Sequence, residues 1–486
     1  MLYTEMDTPD WVRDAIFYQI FPDRFARSAH LTKPKYLEDW DALPTSRGYK
    51  GGDLYGIVEH LDHIQTLGAN ALYLTPIFRA ASNHRYNTHD YYQVDPLLGG
   101  TPALRELLDS CHARGMRVIL DGVFNHAGRG FFQFHDLLEN GPASPYRDWF
   151  HIHSFPLNAY EPRRGLGYSA WWNIASLPKF NTTTPAVREF LWGVATHWLE
   201  FGIDGWRLDT PSEIDDNTFW QEFRRRCRAV NPEAYLVGEI WGDGTRWLQG
   251  DQFDAVMYYA LTRVIFGFVA ADSLNHEEIH KGAYKKITPL SAEEFAAAIK
   301  HLQRQYHPEV TAVQFTLLGS HDPARALTVM GEDESALRLA LLFQMTYPGA
   351  PCVYYGDEIG LTGGHDPLNR GSMPWQKPET WNHELFEYTR RLIHLRREHA
   401  ALRRGSYQEL YAGDGVYAFA RELHGECLLI ALNVNRQSVN CELSTAVLPK
   451  GHGTFHDVIT GLSAHVSNGH LQLSLPARTG GIFTQL

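Results

Sequence analysis

From about residue 15 the chain alternates between short apolar runs and longer stretches whose apolar residues recur every three or four positions. The apolar runs are Ala15–Phe21, Ala71–Pro76, Arg117–Asp121, Ile203–Asp209, Ala234–Glu239, Phe253–Tyr258, Ala312–Leu318 and Pro351–Tyr355. Runs of this kind, with little polar alternation, suit strands buried on both faces of a parallel sheet. Between the first two, Leu54, Ile57, Val58, Leu61, Ile64 and Leu67 fall at helical spacing, and Gly68 stops the helix. Between the second and third, Thr101 reads as the cap and Pro102 as the first turn, with Leu104, Leu107, Leu108 and Cys111 forming the stripe before Gly115. Val187, Phe190, Leu191, Val194 and Trp198 make a further apolar face. Eight strands, each followed by a helical pattern, predict an α/β fold of the (β/α)8 barrel type. A doubly wound open sheet is the runner-up, but it wants a glycine-rich phosphate turn that the sequence lacks.

Two stretches break the alternation. From Phe124 to Thr184 no helix returns promptly to the barrel, although such connections usually run about 2–6 residues. This stretch is rich in Trp, Tyr, His, Pro and Gly, and it predicts an inserted subdomain over residues 125–183 that roofs one side of the site. Thr45–Gly52 and Gly360–Pro378 read as shorter irregular loops at the same face. Beyond about residue 400, Tyr407–Leu410, Val416–Arg421, Cys427–Asn433, Ser438–Leu443, Gly453–Asp457 and Leu471–Leu475 are short alternating runs separated by turn residues. They predict a C-terminal antiparallel β-sandwich over 401–486, leaving 1–124 and 184–400 to the barrel.

Composition narrows the class. A chain of 486 residues exceeds one ordinary core, so about two or three domains are expected. With 44% hydrophobic and 21% charged residues the protein reads as soluble and globular. A net charge of -12 argues against nucleic acid or an anionic membrane surface as partner. No apolar run approaches the roughly 18 residues that span a bilayer. Five scattered cysteines, with no C-x-x-C pair, suit reduced thiols in the cytoplasm. The start, Met1 to Trp11, carries Glu5, Asp7 and Asp10 and no apolar core, unlike a secretory signal. Aromatic content is high at 13%; flat rings serve cores and also pack on the apolar C–H faces of pyranoses.

Charged residues at the strand ends supply the candidate chemistry. In Gly202-Ile-Asp-Gly-Trp-Arg-Leu-Asp-Thr210, period-two alternation sends Arg207 and Asp209 to one side of a buried strand. Such a pair is costly to bury. At the carboxyl end of a barrel strand it faces the active-site mouth, although a structural ion pair capping the strand is the plainer reading. Three more strand ends are polar: Asp121-Gly-Val-Phe-Asn125-His126, Val237-Gly-Glu239-Ile-Trp241 and Gly319-Ser-His321-Asp322. Any one acid here can be a helix cap. Four clusters converging in a barrel match glycosidic bond cleavage, which needs one carboxylate to attack the anomeric carbon and one carboxylic acid to protonate the leaving oxygen. Asp209 beside Arg207 is expected to stay ionised, and Glu239, flanked by Ile240 and Trp241, to sit in a less polar setting that favours proton donation. Asp322 would counter the positive charge of the transition state, with His126 and His321 donating to sugar hydroxyls. A zinc hydrolase is the rival, given 25 histidines. His84, His89, His126 and His321 lack the spacing of a zinc site, so no metal is assigned.

These blocks, DGVFNH (121–126), GWRLDTPSE (205–213), VGEIW (237–241) and LLGSHD (317–322), resemble the four signatures of the α-amylase family of retaining glycoside hydrolases. The resemblance covers nearly the whole chain. It implies Asp209 as nucleophile, Glu239 as general acid/base and Asp322 as transition-state stabiliser, with Arg207, His126 and His321 binding substrate. Tyr86 matches the tyrosine stacked under the sugar, and Asp366 and Arg370 match a further sugar-contacting pair. Glu213 and Trp241 complete the expected substrate-binding set. Leu177-Pro-Lys-Phe-Asn181 is similar to a block of neopullulanases, cyclomaltodextrinases and maltodextrin glucosidases, and Glu213 fits that group, where many secreted amylases have a histidine whose carbonyl binds calcium. Asn125 alone resembles a calcium-site residue, so no cofactor is taken as required and a structural calcium is not inferred. That group usually carries an N-terminal β-domain that serves dimerisation and shapes the cleft; the first barrel strand here begins near residue 15, and the oligomeric state stays open. The expected activity is hydrolysis of α-1,4-glucosidic bonds in maltooligosaccharides, extending to cyclodextrins and pullulan. A glucan-rearranging transferase and a catalytically silent sugar-binding scaffold are the alternatives.

Overall fold

The computed structural model describes residues 6–280, 284, 287–444 and 454–485. Glu5 and Gly453 therefore lie outside the described residues. The predicted barrel strands are all present as β1 (Phe17–Ile20), β2 (Ala71–Leu74), β5 (Arg117–Gly122), β6 (Gly205–Leu208), β7 (Tyr235–Gly238), β8 (Ala255–Val256), β9 (Phe315–Leu317) and β10 (Ala350–Tyr354), with a hairpin, β3 (Phe78–Ala80) and β4 (Thr88–Val94), between β2 and β5. The barrel strands pair in parallel in the order β8-β7-β6-β5-β2-β1-β10-β9. A parallel bridge between Met257 and Phe315 closes the ring. Inside it, Phe17 packs against Phe315 and Tyr235, with ring centroids 5.1 and 5.9 Å apart. Outward residues serve the helices: Trp206 is fully buried against Phe124, and its indole N–H donates to the Ala195 carbonyl at 3.2 Å.

The long connection after β5 is an insert with its own aromatic core. Phe134, Phe150, Tyr168 and Phe180 are buried and in ring contact. Bridges from His126 to Lys179 and from Phe150 to Phe180 close the insert at its root, so both of its ends emerge beside the carboxyl ends of β5 and β6.

The C-terminal unit is an eight-stranded antiparallel sheet in the order β11-β12-β13-β18-β15-β16-β17-β14. These strands are β11 (Ser406–Gly413), β12 (Val416–Leu423), β13 (Glu426–Asn433), β14 (Val439–Ser444), β15 (Thr454–Asp457), β16 (Ser463–Ser467), β17 (His470–Leu475) and β18 (Thr479–Gln485). The sheet folds over its own core: Val416, Ala418 and Leu429 from one half meet Leu443, Leu471 and Leu473 from the other. The intervening side chains, Tyr417, Phe419, Ile430 and Ile482, join the barrel core instead.

Several local expectations need correction. The helix expected over 54–67 is two, Leu54–Glu59 and Leu61–Leu67, broken at His60, whose ring lies 4.0 Å from that of Trp375. Thr101 is no cap: the helix runs Gly100–Ala113 after a left-handed Gly99. The pattern also missed β16 and β18. In β18 a Cβ at Gly480 would collide with the Ala431 carbonyl and Leu342. The glycine is there for close approach of the strand to its neighbour and to a barrel helix.

Two buried arginines tie barrel to sandwich. Arg396 donates to the carbonyls of Met345 (2.8 Å), Tyr347 (3.0 Å), Gly349 (2.5 Å) and Leu402 (3.0 Å). Arg421 donates to the carbonyls of Leu402 (2.8 Å), Gly405 (3.0 Å), Ser406 (3.0 Å) and Thr346. Among the described residues no carboxylate pairs with either. Replacing Arg396 by leucine strands four buried carbonyls, so unfolding in urea is expected to show a loss of about 3 kcal/mol or more, with turnover per folded molecule unchanged.

Candidate active site

Period-two alternation carries Arg207 and Asp209 out of β6 on the barrel's inner side, and Arg207 stands at the centre of the site with no exposed surface. One of its terminal nitrogens, Nη1, lies 2.8 Å from Asp121 Oδ1 and 3.0 Å from Asp209 Oδ1. The other, Nη2, lies 3.0 Å from Glu239 Oε2 and 3.9 Å from Asp322 Oδ2. Four carboxyls from the ends of β5, β6, β7 and the turn after β9 thus share one guanidinium. Asp209 and Glu239 each keep only 8% of their surface exposed, while the Asp322 side chain keeps 30%.

Four carboxyls around one cation cannot all stay charged cheaply in a buried site. Burial first, and then the negative charges of Glu239, Asp121 and Asp322, push the Asp209 carboxyl well above the usual carboxylate range, against the pull of Arg207. Burial followed by the neighbouring Glu239 pushes Asp322 up to about 7. Burial also raises Asp121, with Arg207, Tyr73 and Tyr86 opposing it. The expectation that Arg207 keeps Asp209 ionised is therefore corrected: the charge of Arg207 is divided among four acids, and burial raises the Asp209 carboxyl.

Glu239 is also not in the less polar setting expected. Its Oε2 accepts from the Thr210 N–H at 2.9 Å and its Oε1 from the Trp241 indole N–H at 2.8 Å, besides the contact with Arg207. Thr210 reaches it from a left-handed conformation, φ 40°, ψ 47°. A β-branched residue rarely adopts that conformation, which costs on the order of 1–3 kcal/mol. Trp241 lies flat on Tyr259, centroids 3.6 Å apart, and the Tyr259 hydroxyl bonds Ser320 Oγ at 2.8 Å. Ser320 Oγ in turn accepts from the Asp322 N–H at 3.2 Å. One chain of contacts orients two of the three candidate acids.

A second chain orients His321. The Tyr86 hydroxyl lies 2.7 Å from Asp121 Oδ2 and 2.5 Å from His321 Nε2. Its single proton goes to the carboxylate, so the imidazole donates from Nε2. Nδ1 must then accept, and the buried Gln19 amide supplies the proton from Nε2 at 2.8 Å. Burial, and next the charge of Arg207, hold His321 neutral, well below the usual histidine range. Burial likewise lowers His126 to about 4. His126 Nε2 lies 3.2 Å from the Tyr86 carbonyl.

The remaining expected residues fall at increasing distance. Arg370 Nε donates to the His321 carbonyl at 2.9 Å and its Nη1 pairs with Asp366 at 3.1 Å, so this pair backs His321. Glu213 stands apart on the rim, 44% exposed, with Lys179 Nζ donating to its carbonyl at 2.8 Å. Of the histidines weighed for zinc, His84 stacks beside Tyr86, and burial lowers it to about 3. Among the described residues no group of three or more His, Cys, Asp or Glu side chains is placed to hold a metal ion. Sequence reasoning gave no role to Gln19, Tyr73, Thr210, Tyr259 or Ser320. A glutamine inside the apolar run AIFYQIF was the one visible signal among them.

Paired carboxyls at the carboxyl ends of parallel barrel strands, under an inserted roof and followed by a β-sandwich, define a glycoside hydrolase. The chain belongs to the α-amylase family: the model of the alpha amylase catalytic domain matches residues 19–382, and that of the alpha-amylase C-terminal domain matches 405–483. It is an enzyme of that family, similar to a cyclomaltodextrinase of Geobacillus thermopakistaniensis (strain MAS1), 46% identical over 434 residues covering 88% of this chain and 70% of the relative. Neopullulanase 2 of Thermoactinomyces vulgaris is 41% identical over 479 residues, 98% of this chain and 78% of the relative. The crystal structure of a debranching enzyme from Nostoc punctiforme superposes with a TM-score of 0.91 at 48% identity, covering 99% of this chain and 100% of that one.

The raised carboxyls make stability depend on pH. Asp322 unfolded titrates near 3.8 and folded near 7. Between these values the folded state binds the extra proton, so rising pH removes stability across that window. Asp322→Asn is therefore expected to gain stability over the wild type at pH 8 relative to pH 5, by about 1–2 kcal/mol, read by thermal unfolding at both pH values. An equal effect at the two would show that Asp322 titrates normally.

Proposed function

We propose that the protein is a retaining α-glucan hydrolase that cleaves α-1,4-glucosidic bonds of maltooligosaccharides through a covalent glycosyl-enzyme intermediate, with cyclodextrins and pullulan as further substrates. The observation that carries this reading is the meeting of Asp209, Glu239 and Asp322 on one buried guanidinium. Retaining enzymes hold nucleophile and acid about 5–5.5 Å apart, inverting ones about 6.5–9.5 Å apart to admit a water. Carboxyls that share the two nitrogens of one guanidinium favour the shorter separation.

The reacting form of the site has Asp209 ionised and the proton on Glu239; in the first step Asp209 Oδ2 attacks the anomeric carbon while Arg207 holds Oδ1. Glu239 gives its proton to the glycosidic oxygen as that bond breaks, so the leaving sugar departs as a neutral alcohol. Asp322 and Asp121 balance the positive charge that develops on the ring. In the second step Glu239, now ionised, takes a proton from water, whose oxygen attacks the anomeric carbon and releases Asp209. Neutral His321 and His126 line the sugar's site with their single N–H groups engaged by the Tyr86 hydroxyl and the Tyr86 carbonyl, and Tyr86 lies under the ring. Trp241 acts on Glu239 directly through its indole N–H. Asp366 and Arg370 act through His321, and Glu213 contributes at the rim.

The chemistry draws on carboxyls alone, so no cofactor is required. The Lys179 ammonium already occupies the Glu213 carbonyl, which leaves that oxygen less free for a calcium ion. The partner is an oligosaccharide, with no nucleic acid or membrane surface. No helix among the described residues is long and apolar enough to cross a membrane. Action in the cytoplasm is supported by five unpaired thiols, four of them buried.

Asp209→Asn and Glu239→Gln are each expected to lower turnover of maltotriose by at least about 10³-fold, with the far-ultraviolet circular dichroism of the wild type retained. Near-wild-type turnover by either variant refutes the assignment. Side-by-side product profiles on maltotriose, β-cyclodextrin, pullulan and starch separate hydrolysis from transfer, since products longer than the substrate mark a sugar acceptor. Dialysis against EDTA is expected to leave rate and melting temperature unchanged; a fall in either reveals a bound cation.

A further inference from the structure

Strand β1 places one amide inside the barrel. Phe17 and Gln19 point to the same side by period-two alternation, and Phe17 packs in the barrel interior against Phe315. Gln19 therefore sits one layer nearer the carboxyl ends, in register with Tyr73 of β2 and Tyr354 of β10, and has no exposed surface. Its Nε2 reaches His321 Nδ1 at 2.8 Å, and among the described residues no donor reaches its Oε1. Burying an amide with half of its bonding capacity unmet is costly. Methionine or leucine would fill the same space without that cost, so packing alone does not account for the residue.

The amide touches the one property of His321 that its other neighbours leave open. The His321 carbonyl is held by Asn369 Nδ2 at 2.7 Å and by Arg370 Nε at 2.9 Å. The ring lies parallel to that of Tyr86, 5.4 Å away at 9°. These contacts fix where the ring sits and not which nitrogen carries the hydrogen. Burial, and then the charges of Arg207, Arg370 and His84, disfavour a second proton on it. Nε2 faces the Tyr86 hydroxyl at 2.5 Å and Asp322 Oδ1 at 3.4 Å. A hydrogen on Nε2 suits both oxygens and frees the phenol proton for Asp121 Oδ2, which also accepts from Tyr73 at 2.7 Å. A hydrogen on Nδ1 would turn the phenol proton to Nε2 and take one donor from Asp121. Asp121 would then draw more on Arg207 Nη1, the nitrogen that also holds Asp209.

We infer that Gln19 is a positioning residue for bond cleavage, fixing His321 as the Nε2–H tautomer and thereby directing the Tyr86 proton to Asp121. It acts through His321 and Tyr86 and touches no sugar. The inference rests on the hydrolase reading above and deepens it: the share of Arg207 left to the nucleophile depends on an amide three hydrogen bonds away from Asp121.

Gln19→Met and Gln19→Glu separate positioning from packing. Methionine keeps the volume and removes both polar atoms. It is expected to lower kcat on maltotriose about 10- to 100-fold with KM within about twofold, by the same factor at every pH. Glutamate keeps the shape and exchanges the donor for an acceptor. While a proton is shared between the new carboxyl and Nδ1, the hydrogen on Nε2 stays. Once rising pH removes that proton, the bare carboxylate claims the ring hydrogen for Nδ1. Gln19→Glu is therefore expected to approach wild-type kcat at acid pH and to lose it about one pH unit or more below the alkaline limb of the wild type. Wild-type rates from both variants, or one pH-independent loss shared by both, overturn the inference. Imidazole nitrogen NMR shifts, with His321 identified by its absence from His321→Gln, test it without turnover. The expected pattern is a protonated Nε2 beside a bare Nδ1 in the wild type, reversing in Gln19→Glu at alkaline pH. The opposite tautomer in the wild type, or no response to Gln19→Glu, overturns the inference. A wild type that cleaves no maltotriose fails the hydrolase reading separately, and the imidazole shifts then decide the role of Gln19.

Discussion

Arg207 is a single positive charge sealed inside the top of a barrel and surrounded by four carboxyl groups. A guanidinium is the side chain that can stay ionised there and offer two faces of donors at fixed angles. Remove the charge, and the acids would repel one another in a medium too dry to screen them. The barrel accepts this costly centre because each contributor comes from a different strand end, where the backbone is held by parallel pairing on both sides. The parts of the site are therefore fixed by elements that have no other freedom.

Around that centre the supporting structure divides by physical task. Indole and phenol groups, Trp241 on Tyr259 and Tyr86 beside His321, replace water as hydrogen-bond partners and keep the cavity shaped without substrate. Preorganised donors of this kind stabilise developing charge without having to reorient during the reaction. The insert supplies the other wall and carries its own aromatic core. The sandwich stands behind the barrel, joined through Arg396 and Arg421 by hydrogen bonds to main-chain carbonyls, which leaves the opposite, catalytic face unobstructed.

Much of this was legible along the chain because apolar periodicity and strand-end acids are local signals. All eight barrel strands follow from apolar runs, and Asp209, Glu239 and Asp322 stand in polar clusters at strand ends. Failures arose where a residue's reason lies in a neighbour distant in sequence. Gly480 gives no strand signal along the chain, and its reason shows only when Ala431 and Leu342 are placed against it. His60 looks like an ordinary helical position until Trp375 is brought beside it. Glu239 looks apolar from Ile240 and Trp241, yet the Thr210 N–H and the Trp241 indole both donate to it and Arg207 lies 3.0 Å away.

By itself, then, the sequence determined which elements form, in what order they close, and which acids stand at the barrel's mouth, since each depends on spacing within a few residues. Tertiary structure alone decided how charge is shared: that Arg207 serves four carboxyls, and that Gln19 sets the proton on His321. Electrostatic and stacking energies depend on distances through space, and those distances exist only once strands far apart along the chain lie side by side.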